Sequence, residues 1–153
     1  MYYPNENIMY EGNFISDKFE GKGKYIFQKG DYYIGEFKNG LRNGKGTEHR
    51  SNGNIMYEGD WVKGKAEGKG KAIFENGYYY IGQFKKGLRN GKGKLYYSNG
   101  NIKYEGDWVN DKKEVNGKFI KEDGYYYIGD RRMEKWIKTW KRNNILFKWK
   151  YCI

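Results

Sequence analysis

Residues 57–79 read Tyr57-Glu-Gly59-Asp-Trp61-Val-Lys-Gly64-Lys-Ala-Glu-Gly68-Lys-Gly70-Lys-Ala-Ile-Phe74-Glu-Asn76-Gly77-Tyr-Tyr79. Strand side chains alternate between faces, so Tyr57, Gly59 and Trp61 share one side, with Glu58 and Asp60 on the other. Lys63-Gly64 is a turn signal. Gly68-Lys-Gly70-Lys-Ala-Ile-Phe74 reads as a return strand, with Gly68, Gly70, Ala72 and Phe74 on one face. Asn76-Gly77 is a second turn signal. The stretch is therefore a β-hairpin followed by a turn. Glycine weakens a strand, so its recurrence here predicts that rings lie against bare backbone. Glu58 and Asp60 are expected to face Lys69 and Lys71 across the hairpin, which makes much of the charge self-compensating.

The same unit recurs along the chain. Tyr-Glu-Gly begins at Tyr10, Tyr57 and Tyr104, and Tyr-Ile-Gly begins at Tyr33, Tyr80 and Tyr127, at spacings of 23, 24, 23, 24 and 23. The true period is thus a double unit of 47 residues, and 17 of 24 positions agree between 33–56 and 80–103. Such a period means a stacked repeat. The predicted fold is all-β: an elongated, twisted, single-layer antiparallel sheet of about eleven strands, roughly 50 Å long at about 4.8 Å per strand. Its units are 10–32, 33–56, 57–79, 80–103 and 104–126, with a sixth starting at 127. The expected aromatic row is Tyr10, Phe14, Tyr33, Phe37, Tyr57, Trp61, Tyr80, Phe84, Tyr104, Trp108 and Tyr127. The glycines expected to make room for it are Gly12, Gly21, Gly23, Gly35, Gly44, Gly46, Gly59, Gly68, Gly70, Gly82, Gly91, Gly93, Gly106 and Gly117.

Segments 57–70 and 80–93 (Tyr-Ile-Gly-Gln-Phe-Lys-Lys-Gly-Leu-Arg-Asn-Gly-Lys-Gly) resemble the MORN repeat family, and the likeness extends over 10–129 in five units. The resemblance implies a hairpin array serving protein–protein contact, dimeric scaffolding or attachment to membranes rich in acidic phosphoinositides. Three departures stand out. Asp17 and Asp111 replace a turn glycine, and Val115 replaces a strand glycine, so the fifth hairpin is expected to pack less regularly.

Composition narrows the chemistry. The chain has 153 residues with one Cys and one His, and 30 Lys+Arg against 19 Asp+Glu give a net charge of +11. A lone cysteine (Cys152) excludes a disulfide framework and a cysteine zinc site. His49 alone supports neither a metal cluster nor a triad; it is read as an exposed strand residue. Gly-Lys is followed by Gly, Ala or Phe, never by the Ser or Thr of a phosphate-binding loop. Paired carboxylates such as Glu58/Asp60 recur with the repeat and read as structural. No catalytic, cofactor or metal site is assigned. No secretory signal or apolar span is seen, so a cytoplasmic place is expected, with the inner face of a membrane as a variant. Base stacking on the aromatic row is set aside, because the basic residues are expected in the turns and on the opposite face.

The ends differ from the array. Tyr2–Tyr10 aligns with Tyr96–Tyr104, so 1–9 reads as the remnant of a preceding unit. Residues 131–153 contain no Gly but three of the five Trp. Trp is always TGG, which one nucleotide later reads GGN, glycine. In that frame Trp136, Trp140 and Trp149 become glycines at the spacing of Gly64, Gly68 and Gly77, and Met133-Glu134 yields the aromatic residue. The tail 130–153 is therefore read as a sixth repeat out of frame. A competing reading sets Met133, Trp136, Ile137 and Trp140 at helical spacing among basic residues, as in an interfacial helix. The tail holds eight basic residues against Asp130 and Glu134, so more than half of the net charge lies outside the array. The function expected is a non-catalytic scaffold or protein-interaction module, a fragment of a longer repeat protein, with a possible homodimer through the sheet ends. The alternatives are a peripheral binder of acidic phospholipid, or the non-functional product of a decayed repeat gene.

Overall fold

The computed structural model describes residues 1–5, 7–124, 126–128, 137–142 and 145–150, the last two segments as strand backbone. The strands are β1 (Tyr10–Ile15), β2 (Lys18–Ile26), β3 (Tyr32–Lys38), β4 (Leu41–His49), β5 (Ile55–Val62), β6 (Lys65–Ile73), β7 (Tyr79–Lys85) and β8 (Leu88–Tyr96). They continue as β9 (Ile102–Val109), β10 (Lys112–Lys113), β11 (Lys118–Ile120), β12 (Tyr126–Ile128), β13 (Ile137–Arg142) and β14 (Ile145–Lys150). They form one open antiparallel sheet in chain order, with β10 set beside β9 off the main path. Among the described residues there are fourteen strands rather than eleven, because the fifth return strand is split and the tail adds two.

The two kinds of turn have different physical causes. At one rim both central residues have positive φ: Asn39 (51°) and Gly40 (79°), Lys63 (48°) and Gly64 (80°), Lys86 (55°) and Gly87 (86°). That is the type I′ geometry whose twist matches the strands it joins. Asp17 (59°) and Asp111 (66°) take the second position where the other turns have glycine. At the other rim a three-residue loop ends in a left-handed glycine. Gly30 N–H donates to Phe27 O at 2.8 Å and Phe27 N–H to Asp31 O at 2.8 Å. Gly53, Gly77 and Gly100 repeat the pattern.

The chain divides into two compact units: residues 1–73 with 84–88, and residues 74–83 with the described residues from 89 onward. In the first, β1 through β6 pair in turn. Gly12 lies opposite Gly23, Gly35 opposite Gly46, and Gly46 opposite Gly59, which in turn lies opposite Gly70. In the second, β8 pairs β9 with Gly93 opposite Gly106, β11 pairs β9 and β12, and β13 joins β12 and β14. In the first unit Tyr3 N–H donates to Asn7 O (2.9 Å) and Tyr3 Oη to Ile26 O (2.8 Å). Tyr97 makes the same bonds to Asn101 (2.9 Å) and Ile120 (3.0 Å) in the second.

Two expectations change here. The helix proposed for the tail does not form over 137–142, which is strand β13; Met133 and Trp136 lie outside the described residues. The physical reason is local. Ile145-Leu-Phe-Lys-Trp-Lys supplies a strand-forming partner, and pairing it with β13 continues the hydrogen-bond ladder from β12. Second, Gly68 is not on the face of Gly70. The register slips between Gly59 and Asp60, leaving Gly68 and Lys69 as a bulge, with Gly68 at φ 65°. Gly21, Gly44 and Gly91 also have positive φ at the equivalent positions.

Candidate interaction surfaces

The aromatic face is built from one module repeated. Each repeat tyrosine folds flat along its own strand over the glycine two residues on. Its hydroxyl donates to the carbonyl three residues on: Tyr10 to Asn13 (3.2 Å), Tyr33 to Glu36 (3.1 Å), Tyr57 to Asp60 (3.1 Å), Tyr80 to Gln83 (3.0 Å) and Tyr104 to Asp107 (2.8 Å). The backbone is bare beneath each ring. A Cβ at Gly23, Gly46, Gly70, Gly93 or Gly117 would strike Tyr10, Tyr33, Tyr57, Tyr80 or Tyr104 respectively. Cβ atoms at Gly12, Gly35, Gly59, Gly82 and Gly106 would meet the same rings from the tyrosine's own strand. Tyr33, Tyr80 and Tyr104 are fully buried. Burial pushes Tyr33 and Tyr80 up to about 12, outweighing the nearby Arg42 and Arg89 guanidinium charges. It also raises Tyr10, Tyr57 and Tyr104.

The ring four residues on does not merely follow its tyrosine; it bridges to another. In the first unit the edge-to-face series runs Phe14–Tyr10–Phe37–Tyr33–Trp61–Tyr57–Phe84, with centroids 5.0–5.2 Å apart. In the second it runs Tyr80–Trp108–Tyr104 at 5.1–5.2 Å, and Phe119 lies tilted at 60° against Tyr104, 4.7 Å away. Phe37, Trp61, Phe84 and Trp108 are buried, whereas Phe14, in the first strand, is exposed; only backbone is described at Tyr127. Rings in edge contact leave no slot in which a base could stack.

The bulge glycines serve a different purpose from the ring glycines. At the bulges of Gly44, Gly68 and Gly91 the side chain three residues after the tyrosine accepts the N–H following the glycine. Glu36 takes Lys45 N–H (3.1 Å), Asp60 takes Lys69 N–H (3.2 Å) and Gln83 takes Lys92 N–H (2.9 Å). The expected Asp60–Lys69 cross-strand ion pair is therefore replaced. Asp60 stands opposite Glu67, and its cation is Lys45 on β4, whose ammonium holds the Asp60 carboxyl below the usual range. Glu58 does stand opposite Lys71. Val115 occupies the bulge position in the fifth hairpin. A β-branched residue resists left-handed backbone, and the return strand breaks there into β10 and β11. Val115 and Gly117 thus flank the irregularity anticipated for that hairpin.

The basic residues are not confined to turns and the opposite face. Arg42 lies on the aromatic side, its guanidinium 4.1 Å from the Trp61 ring centre, bonded to Glu48 (3.0 Å) and Gly64 O (2.8 Å). Arg89 occupies the equivalent place over Trp108 (4.3 Å), but Leu95 stands where Glu48 would be. Its carboxylate comes instead from Asp111, the turn substitution: Arg89 Nε and backbone N–H both donate to Asp111 Oδ1, at 2.8 and 2.9 Å. The negative charge has moved from strand to turn without leaving the arginine. Lys113, in the place of Ala66, and Lys103, in the place of Met56, also lie against rings.

On the other face His49 stacks on Tyr32 (4.6 Å between centres, 7° between planes) and bonds Thr47 through Nε2 at 3.0 Å; it is half-buried rather than exposed. Tyr79 and Tyr96 stack likewise. Beside the type I′ turns this face ends in a mixed rim. Ile15 stands opposite Lys18, Leu41 opposite Lys38 and Val62 opposite Lys65, every one exposed. Val109 opposite Lys112 gives the same pair in the second unit.

Among the described residues no helix is long and apolar enough to cross a membrane, and no group of His, Cys, Asp or Glu could hold a metal ion. The family model of the MORN repeat matches residues 10–32, 33–55, 57–77, 80–102 and 104–124, each match opening on the tyrosine of one glycine cradle. This chain belongs to the MORN repeat family.

Proposed function

We propose that the chain is a non-catalytic scaffold that binds other proteins through the mixed rim of its sheet, as a part of a longer repeat protein in a cytoplasmic setting. The observation that carries this reading is the rim itself. Ile15, Leu41, Val62 and Leu88 are 64%, 48%, 47% and 38% exposed, though aliphatic residues of a single-layer sheet could all have been turned to the ring side. Exposed apolar side chains recurring in register mark a contact surface. They contribute nothing to the aromatic series, so the fold does not require them. A second reading, attachment to acidic phospholipid, is supported by the lysine that accompanies each aliphatic residue, since stems and ammonium groups together suit a charged interface.

The test uses the full chain and the variant Leu41→Asp/Val62→Asp. Sizing with chemical cross-linking measures association through the rim. Co-sedimentation with phosphatidylserine vesicles measures lipid attachment. The scaffold reading expects cross-linked protein that the variant loses while its circular dichroism is unchanged. Vesicle binding lost in the variant, with no cross-linked species, selects the lipid reading. A variant that behaves as the parent in both assays removes the rim from either role.

A further inference from the structure

The two copies of the double unit agree at 17 of 24 positions between 33–56 and 80–103, and the places where they differ on the ring side are informative. Met56 becomes Lys103 and Ala66 becomes Lys113, while Glu48 becomes Leu95. In the second unit both lysines are half-buried. Lys103 Nζ lies 4.5 Å from the Tyr78 ring centre and 4.9 Å from that of Tyr97. Lys113 Nζ lies 5.5 Å from Tyr104, 5.9 Å from Trp108 and 5.5 Å from Phe119. Neither ammonium is within salt-bridge distance of a carboxylate among the described residues. Asp111 is held by Arg89.

We propose that the ring face of the second unit, around Lys103 and Lys113, binds an acidic peptide segment with apolar residues between its carboxylates. The lysine stems and Phe119 supply the apolar bed, and the two ammonium groups supply charge that no carboxylate among the described residues pairs with. Burial, with Lys103 and Arg89 nearby, holds the Lys113 ammonium below its usual range, so an incoming carboxylate relieves a repulsion as well as gaining a partner. An extended peptide fits better than nucleic acid, because the rings are in edge contact and offer no stacking slot. It fits better than a bilayer, because these lysines lie along the rings instead of projecting from the rim. The proposal rests on the interaction-module reading above but concerns the other face.

The probe is a short fluorescein-labelled peptide of alternating Glu and Val, with a twin in which every Glu is Gln. Anisotropy is followed with the full chain, with Lys103→Met/Lys113→Ala, and with Lys29→Ala at an exposed loop lysine of the first unit. The double variant carries the residues that the sister copy already accommodates. The acidic peptide is expected to bind, more weakly as salt rises, and to lose about tenfold in affinity to the double variant, the sum of two half-exposed charge pairs. The Gln twin is expected not to bind, and Lys29→Ala to leave affinity unchanged. Equal binding by parent and double variant overturns the proposal. So does an equal loss in Lys29→Ala, or phosphatidylserine vesicles that depend on Lys103 and Lys113 where the peptide does not. If the peptide fails while rim-dependent cross-linking persists, this site falls and the scaffold reading stands.

Discussion

The exchange of Glu48 and Gly64 in one copy for Leu95 and Asp111 in the other predicts a specific non-additivity. Consider Glu48→Leu, Gly64→Asp and the two together. Arg42 and Glu48 are each 24% exposed, so their pair sits at the upper end of the surface range, about 1 kcal/mol. Glu48→Leu loses that pair but buries a leucine as Leu95 is buried, a gain of about 1.5 kcal/mol, so the single change is expected to be near neutral or mildly stabilising. Gly64→Asp alone places a side chain at φ 80°, costing about 1 kcal/mol, and finds Arg42 already paired. In the double variant the new carboxylate has a free guanidinium within the geometry that Arg89 and Asp111 display, recovering about 1 kcal/mol. Urea unfolding of the four proteins closes the cycle, read from midpoints at constant slope. The expected coupling is favourable by about 1 kcal/mol. Additivity within about 0.3 kcal/mol refutes the claim that the turn aspartate replaces the strand glutamate.

Gly46→Ala is expected to cost about 1–3 kcal/mol, because its methyl strikes Tyr33. Gly40→Ala meets nothing within 4 Å but has φ 79°, and is expected to cost about 1 kcal/mol. Urea midpoints compare the two, and a cost for Gly46→Ala no greater than for Gly40→Ala removes the cradle argument. Val115→Gly is expected to restore the bulge and join β10 to β11; hydrogen exchange over 112–120 should slow, and unchanged exchange refutes it. Tyr33 and Tyr80 ionise at about 12 in the fold but at about 10 in the unfolded chain. Their contribution is therefore complete below pH 10 and falls as pH rises from about 10 to about 12, because the unfolded chain loses its protons first. Circular dichroism should be lost in that window together with the last of the tyrosinate absorbance; absorbance reaching the full value for 17 tyrosines with the fold intact contradicts the burial effect. The out-of-frame reading of the tail predicts that coding DNA read one nucleotide later specifies glycine at Arg142 and Tyr-Tyr-Ser-Asn over 145–148, which the code does not force as it forces glycine at Trp136, Trp140 and Trp149. Sequencing decides this, and other residues at those shifted codons refute it.

The repeat was legible because its causes are local. A tyrosine, a glycine two residues on and a ring four residues on need only a strand to share one face, and Asn or Lys before Gly needs only a hairpin to turn. The bulges were not legible, since Gly68 and Gly70 look alike in a row of residues. What separates them is the partner strand: Gly70 lies under the Tyr57 ring, whereas Gly68 turns the chain where Asp60 can take an N–H. Asp60 was likewise assigned to Lys69, and its ion pair with Lys45 depends on the register with β4, the strand on the other side of β5. Sequence did identify Val115 as an irregular residue, because a β-branched side chain at a glycine position conflicts with the backbone wherever it sits.

By itself, then, the sequence determined the period, the hairpins, the ring-bearing face and the family, since each follows from neighbours along the chain and from a spacing of 47 residues. Tertiary structure alone decided which tyrosine each Trp or Phe bridges, which carboxylate each arginine holds, and that Lys103 and Lys113 lie on the ring side. Those contacts join residues from 5 to 28 positions apart, and they depend on the register of the strands between them.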